Sequence, residues 1–242
     1  MKPKTALLLL GLMMAPAAFA QSTTYDPATR LITYSMVNGW NLVPAPKAWG
    51  PMGDQTCNPA GGSNAFSAAY YFSPVQNQYL GGTVTKTSPP TIQYSPANAE
   101  NLMNAENQSH YYHVFGGGQW IYASYPCTLS GSLLTDATGR ISESAEEQYK
   151  YTVKKGWNLL VITPYMSGKT FRQAFHGCSV SKMNFWDAQT QKWTFNGESI
   201  PSSTLAQNFF APGQTSTISE GLIGHVLAFK IADDCRLAPV NP

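Results

Sequence analysis

The feature that most constrains this chain is a phrase it uses twice. Tyr34-Ser-Met-Val-Asn-Gly39-Trp40-Asn41-Leu42 returns as Tyr151-Thr-Val-Lys-Lys-Gly156-Trp157-Asn158-Leu159, with identical spacing and a proline after each, Pro44 and Pro164. Repetition of this kind marks a repeated structural unit, and it bears on fold class before any local pattern does. Two weaker correspondences follow in the same order. Tyr70-Tyr71-Phe72 through Tyr79 aligns with Asn184-Phe185-Trp186 through Trp193, each reading as an aromatic strand, a polar turn and a second strand that opens on an aromatic. Gly118-Gln-Trp120-Ile-Tyr122 with Cys127 aligns with Gly224 to Ile231 with Cys235.

The expected fold is mainly β with a few short helices, built as two tandem diverged repeats that can pack as one pseudo-twofold body. The units are 21–130 and 149–242, joined by a polar linker at 131–148. Short helices are expected over 97–105, 169–177 and 202–210; the first and last follow Pro96 and Pro201, and the middle one stops at Gly177.

The first twenty residues indicate a compartment. Lys2 and Lys4 precede an apolar run from Thr5 to Met14, and Ala18-Phe19-Ala20 supplies a small-residue cleavage site before Gln21. A cleaved signal peptide at 1–20 is expected, hence a secreted chain, periplasmic, extracellular or attached to the cell surface. No later apolar stretch is long enough for a helical membrane span. Without Lys2 and Lys4 the basic and acidic residues balance, so the mature chain has no electrostatic reason to seek nucleic acid.

Four cysteines accompany the repeat: Cys57, Cys127, Cys178 and Cys235. An exported chain with an even count makes disulfides the default, and three pairings are open. The duplication favours Cys57–Cys127 and Cys178–Cys235, because each unit then carries its own bridge. No spacing of Cys or His suits a metal, and no cofactor is expected. His110 and His113 sit three apart in a strand-like segment, which points them to opposite faces. His176 falls at a helix end, and His225 in an expected strand.

Trp40 and Trp157, at the same place in both units, are expected to fill the cores, with Asn41 and Asn158 bonding the local backbone. Trp49, Tyr71, Trp120, Trp186 and Trp193 are the candidate ligand aromatics, whose flat rings could cover the apolar faces of a sugar. Templates for hydrolases, metalloproteases and nucleotide-binding folds are missing, and the carboxylates are scattered, so no catalytic residues are assigned.

Gly-Trp-Asn-Leu…Pro, then an aromatic hairpin, then Gly-x-x-Trp-Ile-Tyr, resembles a β-module that recurs in prokaryotic secreted and cell-surface proteins. Gly39–Leu42 and Gly156–Leu159 match its start; Gly118–Tyr122 matches its finish with Gln119 where an aromatic is usual, and Val226–Phe229 lacks the Trp. The resemblance implies location and architecture and carries no agreed activity. The expected function is a non-enzymatic structural, adhesive or assembly role, with polysaccharide or other surface proteins as partners. A carbohydrate-binding module is the alternative, and a hydrolase of unrecognised type the third reading.

Overall fold

Each copy of the Gly-Trp-Asn-Leu phrase forms a strand at the margin of a five-stranded antiparallel sheet. The structure is a computed structural model that describes residues 23–44, 57, 65–84, 92–94, 117–132, 152–195, 198–199 and 217–236. In the first large sheet β3 (Gly39–Pro44) is followed across the sheet by β7 (Gly118–Ala123), β4 (Phe66–Ser73), β5 (Gln78–Val84) and β6 (Ile92–Tyr94). In the second, β10 (Gly156–Val161) is followed by β14 (Val226–Ile231), β11 (Val180–Asp187), β12 (Lys192–Phe195) and β13 (Glu198–Ser199). Two smaller sheets adjoin them: β1 (Thr23–Asp26), β2 (Leu31–Met36) and β8 (Cys127–Ser132), and the pair β9 (Thr152–Val153) with β15 (Cys235–Arg236). The chain is therefore mainly β, as expected.

The two large sheets agree in register as well as order. Trp40 lies opposite Tyr122 and Trp157 opposite Lys230; Phe72 lies opposite Tyr79 and Trp186 opposite Trp193. The ladder slips at the same place in both, between Phe66 and Ala68 and between Val180 and Lys182. Each β4–β5 type hairpin turns through a left-handed residue at the same offset, Asn77 and Gln191, both with φ of 52°. One alignment expected from sequence is displaced. Gly118 pairs with Pro44, and the residue in the corresponding place is Val226, opposite Val161, rather than Gly224.

Strand alternation sends one face of each large sheet into a separate core, the first of which also takes in Val161 of β10. Val43, Ile121 and Ala123 pack with Ile32, Tyr34 and Met36 of β2. Leu160, Met183, Phe185, Leu227 and Phe229 pack under a one-turn helix, α1 (Phe171–Ala174), through Phe171 and Ala174. This helix is shorter than the expected 169–177. Its start is a capping box, with Gln173 N donating to Thr170 Oγ1 at 3.2 Å and Thr170 N to Gln173 Oε1 at 2.8 Å. Its exit runs to Gly177 at φ 94°.

The opposite faces of the two sheets meet each other, through Leu42, Phe72, Leu159, Val226 and Ala228. The approach is close at Gly118, where a Cβ would fall 2.4 Å from Val226 Cγ1. Disulfides join Cys57 to Cys127 and Cys178 to Cys235, the pairing favoured from the sequence. Among the described residues no helix is long and apolar enough to cross a membrane. The signal segment 1–20, Trp49, the helices over 97–105 and 202–210, His110, His113 and all but the first two residues of the linker lie outside the described residues. Those two, Gly131 and Ser132, belong to β8.

Candidate functional site

The four residues of the repeated phrase hold four different positions, and together they build the seam between the sheets. Gly39 and Gly156 sit at φ 117° and 101°, backbone that a side chain resists. Asn41 and Asn158 are fully buried and pin the turn that precedes the strand. Asn41 Nδ2 donates to the carbonyls of Val37 and Gly39 at 2.9 and 3.0 Å, and its Oδ1 accepts from Val37 N at 3.0 Å. Asn158 repeats the two donations, to Lys154 and Gly156, while its Oδ1 has no partner. Leu42 and Leu159 enter the apolar contact between the sheets.

Trp40 and Trp157 correct the sequence-based expectation. Both are half-buried and line surface grooves instead of filling the cores. The reason is alternation: Asn41 takes the inward face of β3, so its neighbours Trp40 and Leu42 must point to the seam. Tyr71 is corrected in the same way. It is 0% exposed in the core, and its neighbour Tyr70, 39% exposed, faces the groove instead.

The first groove encloses about 400 Å³ and is lined by Trp40, Tyr70, Tyr79, Trp120, Trp186 and Trp193. These six rings come from β3, β4, β5 and β7 of one sheet and β11 and β12 of the other. The expected ligand aromatics Trp120, Trp186 and Trp193 are thus brought together. Their rings do not form a flat platform. Trp120 stands at 86° to Trp186 and 85° to Trp193, with centroids 4.8 and 5.5 Å apart, and Trp40 stands at 87° to Trp120. Edge-to-face contacts of this kind fix each ring through the quadrupole of its neighbour.

The wall of this groove is locked across the seam. Gln191, at the left-handed position of its turn, donates from Nε2 to Trp40 O at 3.0 Å and accepts from Trp40 N at 2.9 Å, as a paired strand would. Trp186 Nε1 donates to the same carbonyl at 2.9 Å. A Cβ on Gly39 would meet the Gln191 amide at 3.0 Å, so this glycine serves both the turn and the clamp. The indole N–H groups of Trp40, Trp120 and Trp193 make no hydrogen bond to described residues and remain available.

No family model, curated protein or solved structure matches this chain. The chemistry of the site therefore rests on its own geometry. No Asp, Glu, His, Lys or Arg among the described residues lines the groove. Among the described residues no three His, Cys, Asp or Glu side chains gather as metal ligands would. His225, one residue ahead of β14, is buried away from the seam against Phe185, and burial lowers its pKa to about 4. His176 is exposed beyond the end of α1. Tyr70 and Tyr79 are not among the ligand aromatics expected from sequence; the signal that marks them is period-two alternation beside Tyr71 and Phe72.

Proposed function

We propose that this chain is an exported, non-catalytic binding protein whose aromatic groove holds a neutral saccharide. The six-ring groove between the sheets carries the reading. Aromatic faces cover the C–H surfaces of a sugar, and the indole N–H groups of Trp40, Trp120 and Trp193 offer donors to its hydroxyls. An uncharged lining suits an uncharged ligand. Acid–base chemistry most often uses a histidine or a carboxylate, and the described lining residues include neither, their titratable groups being the phenols of Tyr70 and Tyr79. An adhesive role at a cell surface is one natural use of such a site.

The N-terminal pattern and the two disulfides support export to an oxidising compartment. The resemblance to β-modules of secreted and surface proteins supports the same location. The upright arrangement of the rings refines the ligand. Walls at right angles grip the face and the edge of one sugar at once, whereas a flat crystalline polymer surface would find no platform to lie on. Soluble chains are the expected ligands.

Isothermal titration of the mature protein with neutral gluco-, manno- and chito-oligosaccharides tests this. Binding should be insensitive to salt, since no ion pair is screened. Trp120→Ala should weaken it by about tenfold, the order expected for an aromatic contact. Binding to proline-rich peptides and to no sugar would instead assign the groove to a polyproline ligand and overturn the proposal.

A further inference from the structure

A second groove, of about 580 Å³, runs along the same seam and is lined by Phe72, Asn77, Tyr79, Trp157, Asn184 and Trp193, over Leu159 and Ala228. The shared strand order, register and bulge position of the two large sheets place each residue of one opposite a counterpart in the other. By that correspondence Trp40 matches Trp157, Tyr70 matches Asn184, Trp120 matches Ala228, Phe72 matches Trp186, and Tyr79 matches Trp193. Exchanging the two sheets turns the six residues lining the first groove into six of the eight that line the second, Asn77 and Leu159 being the additions. Phe72 and Trp186 cross over: each belongs to one sheet and lines the groove of the other. Tyr79 and Trp193 line both.

From this we infer that the two grooves are unequal subsites of one binding track, and that the track holds a single neutral oligosaccharide chain passing over the Tyr79–Trp193 pair. The inference rests on the saccharide reading of the first groove. The second groove differs from the first in chemistry. Where the first has Tyr70 and Trp120, the second has Asn184 and Ala228, which widens it and replaces two rings with one carboxamide. Asn77 adds another. Neither Asn77 nor Asn184 makes a side-chain hydrogen bond to a described residue, so both present an acceptor oxygen and two donor hydrogens to the groove. The tyrosine of the first groove grips a C–H face; the amides of the second are suited to reading vicinal hydroxyls. Among the described residues no charged side chain lines either groove, so a neutral chain can pass from one to the other along them without crossing a desolvated charge.

Two joined subsites make affinity depend on ligand length. A chain that fills the first groove and then the second gains as an intramolecular second contact does, by about tenfold or more. The test compares di- and hexasaccharides of whichever neutral series binds the mature protein. The hexasaccharide should bind at least about tenfold tighter, and in Asn184→Leu the ratio of the two affinities should fall close to one. In wild-type protein carrying 5-fluorotryptophan, the Trp157 resonance should move on adding hexasaccharide and stay in place on adding disaccharide. Equal affinities with an unmoved Trp157 would overturn the joined track while leaving the first groove as a saccharide site. Failure of every saccharide to bind would overturn both.

Discussion

At the scale of single residues, the repeated phrase shows how four adjacent residues divide the work of a strand at a sheet margin. The glycine supplies a positive φ, the asparagine ties the turn, the leucine joins the sheets and the tryptophan lines a groove. The asparagine is used unequally. Asn41 satisfies all three of its local hydrogen bonds, whereas Asn158 leaves Oδ1 buried and unpaired. An unpaired buried acceptor costs about 1–3 kcal/mol, so the second turn carries a local burden that the first does not. A second polar residue held in an apolar place is His225, whose imidazole is buried and whose pKa falls from 6.5 to about 4. Between those two values the unfolded chain binds a proton that the folded chain refuses. Stability from this site is therefore complete above pH 6.5 and is lost as pH falls toward 4, by roughly 3 kcal/mol in all. Urea midpoints measured across this range should show the fall in wild type and a flatter profile in His225→Gln. An unchanged slope would mean that other groups set the acid sensitivity.

At the scale of strands and turns, the sequence carries more of the sheets than of the seam. Tyr-to-Leu spacing and the aromatic hairpins identify β3, β10, β4–β5 and β11–β12 directly, because alternation and turn chemistry are local. The face each side chain takes is harder to read. A one-residue offset separates Tyr70 in the groove from Tyr71 in the core, and the bulges near Ser67 and Ser181 reset the alternation within the strand. Trp40 reads from sequence as a core residue for a related reason: it is turned to the surface by Asn41, whose buried role depends on a turn contact with Val37, four residues away in the chain. The sheet-to-sheet approach at Gly118 is invisible locally, since it depends on Val226, over a hundred positions later. That contact is testable. Gly118→Ala places a methyl 2.4 Å from Val226 Cγ1 and should destabilise by about 1–3 kcal/mol through overpacking. Val226→Ala in the same chain should recover much of the loss, although each single change is destabilising by itself. A cost that simply adds in the double variant would show that the two sheets do not meet there.

For the molecule as a whole, the seam decides whether the two halves behave as one body. Leu42, Phe72, Leu159, Val226 and Ala228 are buried only because the sheets meet, and Gln191 binds Trp40 by main-chain-like hydrogen bonds across the gap. The grooves are lined from both sheets, so their shape depends on that contact. The disulfides act within the halves and are not equally protected. Cys57 and Cys127 are buried at 1% and 6% exposure, beside the core of β2, β3 and β7, whereas Cys178 and Cys235 are half-buried at the margin of the second core. Thiol–disulfide exchange needs access to the sulfur, so a mild reductant should open Cys178–Cys235 first. That bridge spans 57 residues, and its loss removes about 4 kcal/mol on the chain-entropy estimate. Alkylation followed by peptide mass spectrometry under native conditions should label Cys178 and Cys235 well before Cys57 and Cys127. If the grooves hold an oligosaccharide as proposed, adding it should slow the later labelling of Cys57 and Cys127, because a ligand held by rings from both sheets would stabilise them together. Labelling of all four at one rate would show that opening either half unfolds the other, and a second pair indifferent to ligand would show halves that unfold independently.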